Sequence, residues 1–136
     1  EMLIAGMIEH YIQRFTQDLH AAAKGDHQPA QPGDWTRAYL DTTFADNQRL
    51  PRMSSGLLAA IATNPALLKP LQDVFAKWIT LLEADGIDPL VAHIVRLVAD
   101  GLWLVELFDL APPSGEMKER ISQALKRLVE SGQLTV

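Results

Sequence analysis

The sequence predicts an all-α protein of about six helices, and three observations support this prediction. Apolar residues recur at spacings of three and four in several segments, which is the period of one helix face. Proline, glycine and helix-capping residues separate these segments at short intervals. No segment of useful length alternates apolar and polar residues as a half-buried strand would. A chain of 136 residues can bury a sizeable core, so the sequence predicts one helical domain.

The first predicted helix covers residues 1–23 and is amphipathic. Its apolar stripe consists of Ile4, Ile8, Tyr11, Phe15, Leu19 and Ala22. A loop is predicted over residues 24–34, because two prolines and two glycines lie there among polar residues. Asp34 is then predicted to cap a second helix that runs to about Arg49, where Pro51 ends it.

The middle of the chain predicts two further helices. Ser54 or the next serine caps a short apolar helix, and Asn64 followed by Pro65 is a strong start signal for the next one. Pro70 should kink this helix near its beginning or delay its start, and Gly86 should end it. Its wide apolar stripe consists of Val74, Phe75, Trp78, Ile79, Leu81 and Leu82.

Asp88 and Pro89 repeat the cap-and-proline device and begin a helix that is apolar all round. One side carries Val91, Val95, Val98, Leu102 and Val105, and nearly the opposite side carries Leu97, Leu104 and Leu107. Such a helix must be buried on both sides. Either the other helices of the same chain or a second subunit can provide the second cover. Ser114 is predicted to cap the last helix, whose narrow stripe is Met117, Ile121, Ala124, Leu125 and Leu128.

His93, Arg96 and Asp100 form a polar line along this apolar helix, and Trp103 extends it. Two interpretations remain open. In the first, Arg96 and Asp100 simply satisfy each other, because an unpaired buried charge is costly. In the second, the line borders a mostly apolar cavity that binds a flat or elongated hydrophobic molecule. The aromatic candidates for that cavity, which could equally well just fill a core, are Tyr11, Phe15, Phe44, Phe75 and Trp78.

Composition and motifs argue against several other classes of protein. The chain has no cysteine, which excludes disulfides and thiolate chemistry, and its four histidines lack the spacing of a metal site. The net charge of −5 argues against direct binding to nucleic acid. No phosphate-binding loop or catalytic signature occurs, so we expect neither an enzyme nor a bound cofactor. No apolar run reaches the length of a membrane span and no signal peptide is recognisable, which predicts a cytoplasmic protein that does not bind membranes.

Residues 64–128 resemble the C-terminal half of TetR-family transcriptional regulators, above all in "RLVADGLWLVELFDLAPP" and the amphipathic helix that follows it. "EMLIAGMIEHYIQRF" resembles the long helix that leaves the family's helix-turn-helix headpiece. Residues 24–50 match only in helix pattern. The headpiece that reads DNA precedes this helix in the family and is absent from this sequence, so no DNA-contacting residue can be assigned.

The resemblance implies that residues 1–136 form a single effector-binding and dimerisation domain. Residues 1–23 would be the connecting helix, 35–86 the core helices and 89–130 the dimerisation helices. The last two helices would pack against those of a second subunit as a four-helix bundle. The residues expected at that homodimer interface are Val98, Leu102, Val105, Met117, Ile121 and Leu125.

In function, the resemblance implies a regulator, most often a repressor. A small hydrophobic effector would bind between the helices and control DNA binding by the headpiece allosterically. The cavity residues expected to hold it are Tyr11, Phe15, Phe44, Phe75, Trp78, His93, Arg96, Asp100 and Trp103. The alternative is a stand-alone helical module that binds a protein or a small molecule and has no DNA role.

Overall fold

The computed structural model describes residues 2–24, 31–45 and 54–134. These ranges form six α-helices and one short 3-10 turn, without a strand. The helices are α1 (Met2–Lys24), α2 (Asp34–Ala45), α3 (Ser54–Thr63), α4 (Lys69–Glu83), α5 (Pro89–Leu107) and α6 (Gly115–Ser131). The all-α prediction is confirmed. None of the helices in these ranges has both the length and the apolarity that crossing a membrane requires.

Most predicted helix ends have the expected local cause. The side chains of Asn64, Asp88 and Ser114 each accept a backbone N–H from the turn that they cap, at 3.3, 3.0 and 3.2 Å. Helix α4 ends at Glu83, three residues before the predicted Gly86, which lies in the following turn with a φ of 82° that glycine adopts without steric cost. Pro70 delays α4 as predicted, because the chain first makes a 3-10 turn. The predicted continuation of α2 toward Arg49 lies outside the described residues.

The start of α2 differs from the prediction. Asp34 does not cap the helix, because its carboxylate accepts the Gln31 N–H at 2.7 Å. The cap comes instead from the loop between α4 and α5, where Asp85 accepts the Trp35 N–H at 3.0 Å and the Thr36 N–H at 2.8 Å. Asp85 is only 6% exposed. A carboxylate fifty positions away in the sequence therefore satisfies the first amides of α2.

Two buried clusters make up the core. The larger lies among α1, α2, α4 and α5, and the smaller lies among α2, α5 and α6. The larger cluster contains Tyr11, Phe15, Leu19, Ala23, Ala38, Tyr39, Trp78, Leu82, Ala92 and Ala99. The smaller cluster contains Leu40, Val91, Val95, Leu125 and Val129. Helices α2 and α5 take part in both clusters and are therefore the central elements of the fold.

Helix α5 is covered on one side only. Its buried residues are Val91, Ala92, Val95, Ala99 and Leu102. On the other side, Leu97 is 58% exposed, Leu104 44% and Val98 36%. Among the described residues, the chain's own helices thus leave a large apolar part of α5 open to solvent.

We predict that Asp85→Ala lowers the free energy of unfolding by about 2 kcal/mol, because it removes a buried cap and leaves two backbone N–H groups unsatisfied. Asp73→Ala is the matched control, since Asp73 forms an exposed pair with Lys69 that should contribute less than about 1 kcal/mol. Urea unfolding at one fixed protein concentration measures both variants. Equal losses in the two variants would show that the Asp85 cap does not hold α2.

Candidate functional site

Six aromatic rings from four helices pack together in the larger core, and we call them the aromatic cluster. Its members are Tyr11 and Phe15 of α1, Tyr39 of α2, Phe75 and Trp78 of α4, and Trp103 of α5. Ring centroids lie 4.7 Å apart for Phe15 and Trp78 and 6.4 Å apart for Phe75 and Trp103. The rings are tilted or edge-on to one another, which aromatic pairs favour. The cluster therefore binds α1 to the other three helices.

The cluster has a buried interior and a partly exposed edge. Tyr11, Phe15, Tyr39 and Trp78 are each at most 4% exposed. Phe75 and Trp103 are only partly buried, and the Arg96 side chain beside them is 26% exposed. The Arg96 guanidinium lies 6.0 Å from the centre of the Phe75 ring, within the range of a cation–π contact. We call Phe75, Trp103 and Arg96 the cluster edge.

Asp100 carries the buried charge of this region. The Tyr39 hydroxyl donates a hydrogen bond to Oδ1 of Asp100. The Arg96 Nε lies 2.7 Å from Oδ2, yet Oδ2 receives no well-aligned hydrogen bond from any described residue. The Arg96–Asp100 contact is therefore an ion pair by proximity, while the directed bond comes from Tyr39. Together the three side chains link α2 to α5 inside the core.

The electrostatics of the trio follow from burial. Burial raises the pKa of Asp100, and the hydrogen bond from Tyr39 and the charge on Arg96 oppose that rise. The pKa of Tyr39 is raised strongly, first by burial and then by the negative charge on Asp100. The proton of the pair therefore stays on Tyr39, which acts as donor, and the carboxylate acts as acceptor.

Not all of the predicted cavity residues lie at this site. Seven of the nine lie in the cluster or in the ion pair, and Phe75, Trp103 and Arg96 among them form the cluster edge. His93 lies away from the rings, where it contacts Glu83 of α4 at 3.1 Å in an exposed position. Phe44 packs between the two buried clusters, with the Lys118 ammonium 5.9 Å from its ring centre.

Sequence reasoning missed Tyr39 of α2 as a site residue. A signal was available, because a buried tyrosine hydroxyl needs a hydrogen-bond partner and Asp100 is the acidic residue on the inner side of α5.

The residues expected at a dimer interface divide into two groups. Leu102 and Leu125 are 6% and 7% exposed, so the subunit itself already covers them. Val105 and Ile121 are half-buried. Val98 and Met117 are 36% and 43% exposed and remain available to a partner. Leu97 and Leu104 are 58% and 44% exposed. The helical wheel placed both on the side opposite to the residues expected at the interface.

A cavity of about 690 Å³ lies at a different place, between the start of α2, the α4–α5 loop and the C-terminal end of α6. Pro32, Ile87 and Gly132 are among its lining residues, and no member of the aromatic cluster borders it. Within the described ranges, no three histidine or acidic side chains come close enough together to hold a metal ion.

The sequence profile described as "Tetracyclin repressor-like, C-terminal domain" matches residues 33–130. The match covers most of the chain, which therefore belongs to the TetR-like family through its C-terminal domain. Such domains are regulatory rather than enzymatic. No curated protein and no solved structure matched the chain.

We predict that Tyr39→Phe lowers the free energy of unfolding by about 1.5–3 kcal/mol, the range for a hydrogen bond to a charged group. In an Asp100→Asn background, Tyr39→Phe should lower the free energy of unfolding by less, because both changes remove the same interaction. Combined with the exposed Asp73→Asn, its effect should be additive. Chemical unfolding of the single and double variants gives this comparison, and additivity with Asp100→Asn would argue against the Tyr39–Asp100 bond.

Proposed function

We propose that this domain is the effector-sensing and dimerisation domain of a one-component transcriptional repressor. The observation that carries the proposal is the family match over residues 33–130. A DNA-reading headpiece ahead of α1 would bind the operator, and the acidic helical domain would make no specific DNA contact of its own. Because its target would be DNA, we place the regulator in the cytoplasm.

The exposed side of α5 supports dimerisation. Leu97 and Leu104 lie on it with Gly101 between them, and beyond the backbone of α5 itself a Cβ at Gly101 would meet no atom of the described residues within 4 Å. A mid-helix glycine costs about 1 kcal/mol relative to alanine. The described part of the subunit gives no packing reason for that cost, whereas the close approach of a partner helix would.

Helix α6 extends the same apolar surface. Met117 is 43% exposed, Ala124 is exposed, and Ile121 and Leu128 are half-buried. An ion pair of 2.9 Å between Lys118 of α6 and Glu106 of α5 holds the two helices side by side. We therefore propose an interface centred on Leu97, Gly101, Leu104 and Met117, in which Val98, Val105 and Ile121 take part. Leu102 and Leu125 would support it from inside the subunit.

The aromatic cluster supports effector binding. It combines a large apolar surface with one buried charged group and one partly exposed cation, which is the usual make-up of a ligand site. Its rings touch one another, so an effector would enter at the cluster edge and separate Phe75 from Trp103. His93 and Phe44 would lie outside its contacts.

Helix α1 would carry the signal. Tyr11, Phe15 and Leu19 anchor it in the larger buried cluster. An effector that separates the rings would shift α1 against α2 and α5. In a dimer, the same shift in both subunits would change the spacing of two headpieces, and so would change operator affinity.

We predict that Leu97→Glu converts the dimer to a folded monomer, because it places a charge at the centre of an apolar interface. Leu3→Glu is the matched control, since Leu3 is 73% exposed on α1, a helix that takes no part in the proposed interface. Sedimentation equilibrium and circular dichroism measure association and folding separately. A monomeric wild-type chain, or a Leu97→Glu variant that dimerises like the control, would contradict the proposed interface.

We predict that the neutral probe N-phenyl-1-naphthylamine binds the domain and that Trp103→Leu weakens this binding about tenfold or more, through loss of aromatic contact at the cluster edge. Trp35→Leu is the matched control, because the Trp35 ring pairs with His20 and, among the described residues, forms no ring pair with a member of the aromatic cluster, although it packs at the border of the same core. A fluorescence titration gives the affinities. No probe binding, or equal weakening in the two variants, would argue against a ligand site at the cluster.

A further inference from the structure

At the cluster edge, the terminal nitrogens of the Arg96 guanidinium are available beside two aromatic rings. Arg96 uses its Nε toward Asp100, and its guanidinium carbon lies over Phe75. No described residue takes a hydrogen bond from its two terminal nitrogens. Since a guanidinium has five N–H donors, four of them remain for a ligand or for water.

The terminal N–H groups of the Arg96 guanidinium have the geometry to bind a carboxylate. Two parallel N–H donors of a guanidinium match the two oxygens of a carboxylate, and this bidentate pairing is shorter and stronger than a neutral hydrogen bond. The partly buried position of Arg96, beside Phe75 and Trp103, limits access of water and strengthens such a pair. The ring surfaces of these two residues favour a flat aromatic body next to the charged group.

We propose that the effector is a planar aromatic carboxylate. Its carboxylate takes the terminal nitrogens of Arg96, and its ring inserts at the cluster edge between Phe75 and Trp103. This inference rests on the proposed effector site and adds the chemical class of the ligand that the site takes.

A ligand carboxylate bound to Arg96 would change the pKa of Asp100, which shares the same arginine. Three polar groups surround Asp100 or its partner: Tyr39 from α2, Tyr11 from α1 beside Tyr39, and Arg96 on its own helix. Helix α4 contributes only uncharged rings to this region. A ligand anion on Arg96 weakens the compensation of the Asp100 charge, so binding raises the pKa of Asp100 and takes up a proton.

The sign of the pH dependence follows. A group whose pKa is higher in the complex favours binding at low pH, and this contribution is lost as the pH rises through the value in the complex. Above the range in which the ligand itself ionises, affinity for the carboxylate should therefore fall as the pH rises. A neutral ligand of the same shape should show little pH dependence.

The test compares 2-naphthoate with 2-naphthamide, which share a ring system and differ in charge. Isothermal titration calorimetry on the intact dimer should give about tenfold tighter binding for the acid, the difference expected for one charge-assisted pair. Affinity for the acid should fall as the pH rises above the range in which the acid itself ionises. Two outcomes overturn the inference: an amide that binds as tightly as the acid, or an acid whose affinity does not fall with pH.

Variants test whether the preference for the acid over the amide comes from Arg96. Arg96→Gln together with Asp100→Asn replaces the pair by two neutral groups, which avoids leaving a buried charge unpaired. This double variant should bind acid and amide equally well and should lose the pH dependence. Arg127→Gln, which removes an exposed arginine of α6, should leave the preference for the acid and its pH dependence unchanged. An unaltered preference in the double variant would overturn the role of Arg96.

Binding of the neutral probe N-phenyl-1-naphthylamine separates this inference from the proposed function. If the neutral probe binds and is sensitive to Trp103→Leu while the acid shows no preference, the effector site stands and its ligand class is wrong. If no probe binds at the cluster, the effector site itself is wrong, and the inference fails with it.

Discussion

The carboxylate of Asp100 lies at the aromatic cluster with its side chain only 16% exposed, and its contacts join the central helices α2 and α5. A buried charge is tolerated only where hydrogen bonds and an opposite charge compensate for the lost hydration. Tyr39 supplies the hydrogen bond from α2, and Arg96 supplies the charge from one turn earlier on α5. The rings of α1 and α4 then close around the trio. The position of α1 thus depends on a core that is organised around one ion pair.

Helix α2 shows why such polar anchors are needed. It is short and only weakly amphipathic, and its buried residues include Thr36, Thr42 and Thr43. It nevertheless packs against α1, α4, α5 and α6. Two carboxylates from elsewhere in the chain fix it: Asp85 holds its first amides, and Asp100 holds the Tyr39 hydroxyl one turn further along. Directional bonds therefore specify the placement of a helix that hydrophobic burial alone would leave poorly defined.

The sequence predicted the helices and most of their ends, because caps, prolines and glycines act over three or four residues. It could not predict the Asp85 cap, since that contact joins positions fifty residues apart and depends on the tertiary fold. It also could not distinguish which side of α5 the subunit itself buries, where Leu102 is 6% exposed and Leu97 58%. A helix that is apolar all round carries no polar face to mark its outer side, so Leu102 was expected at an interface and Leu97 was not.

The sequence predicted most residues of the candidate site but not all of the contacts that they make. The i, i+4 spacing of Arg96 and Asp100 predicted their contact, and helical periodicity brought the rings of α1, α4 and α5 into one region. Phe44 and His93 were grouped with them because a wheel gives the direction of a side chain but not the helix that it meets. Tyr39 was missed because its role follows from a hydrogen bond across the core.

Asp100 is a largely buried carboxylate held by Tyr39 and Arg96. Carbon-13 NMR titration of the labelled Asp100 side chain measures its pKa directly. We expect a value above the ordinary 3.8 of an aspartate, and a further rise in Tyr39→Phe because the stabilising hydrogen bond is lost. A pKa of Asp100 at or below 3.8, unchanged by Tyr39→Phe, would contradict the account.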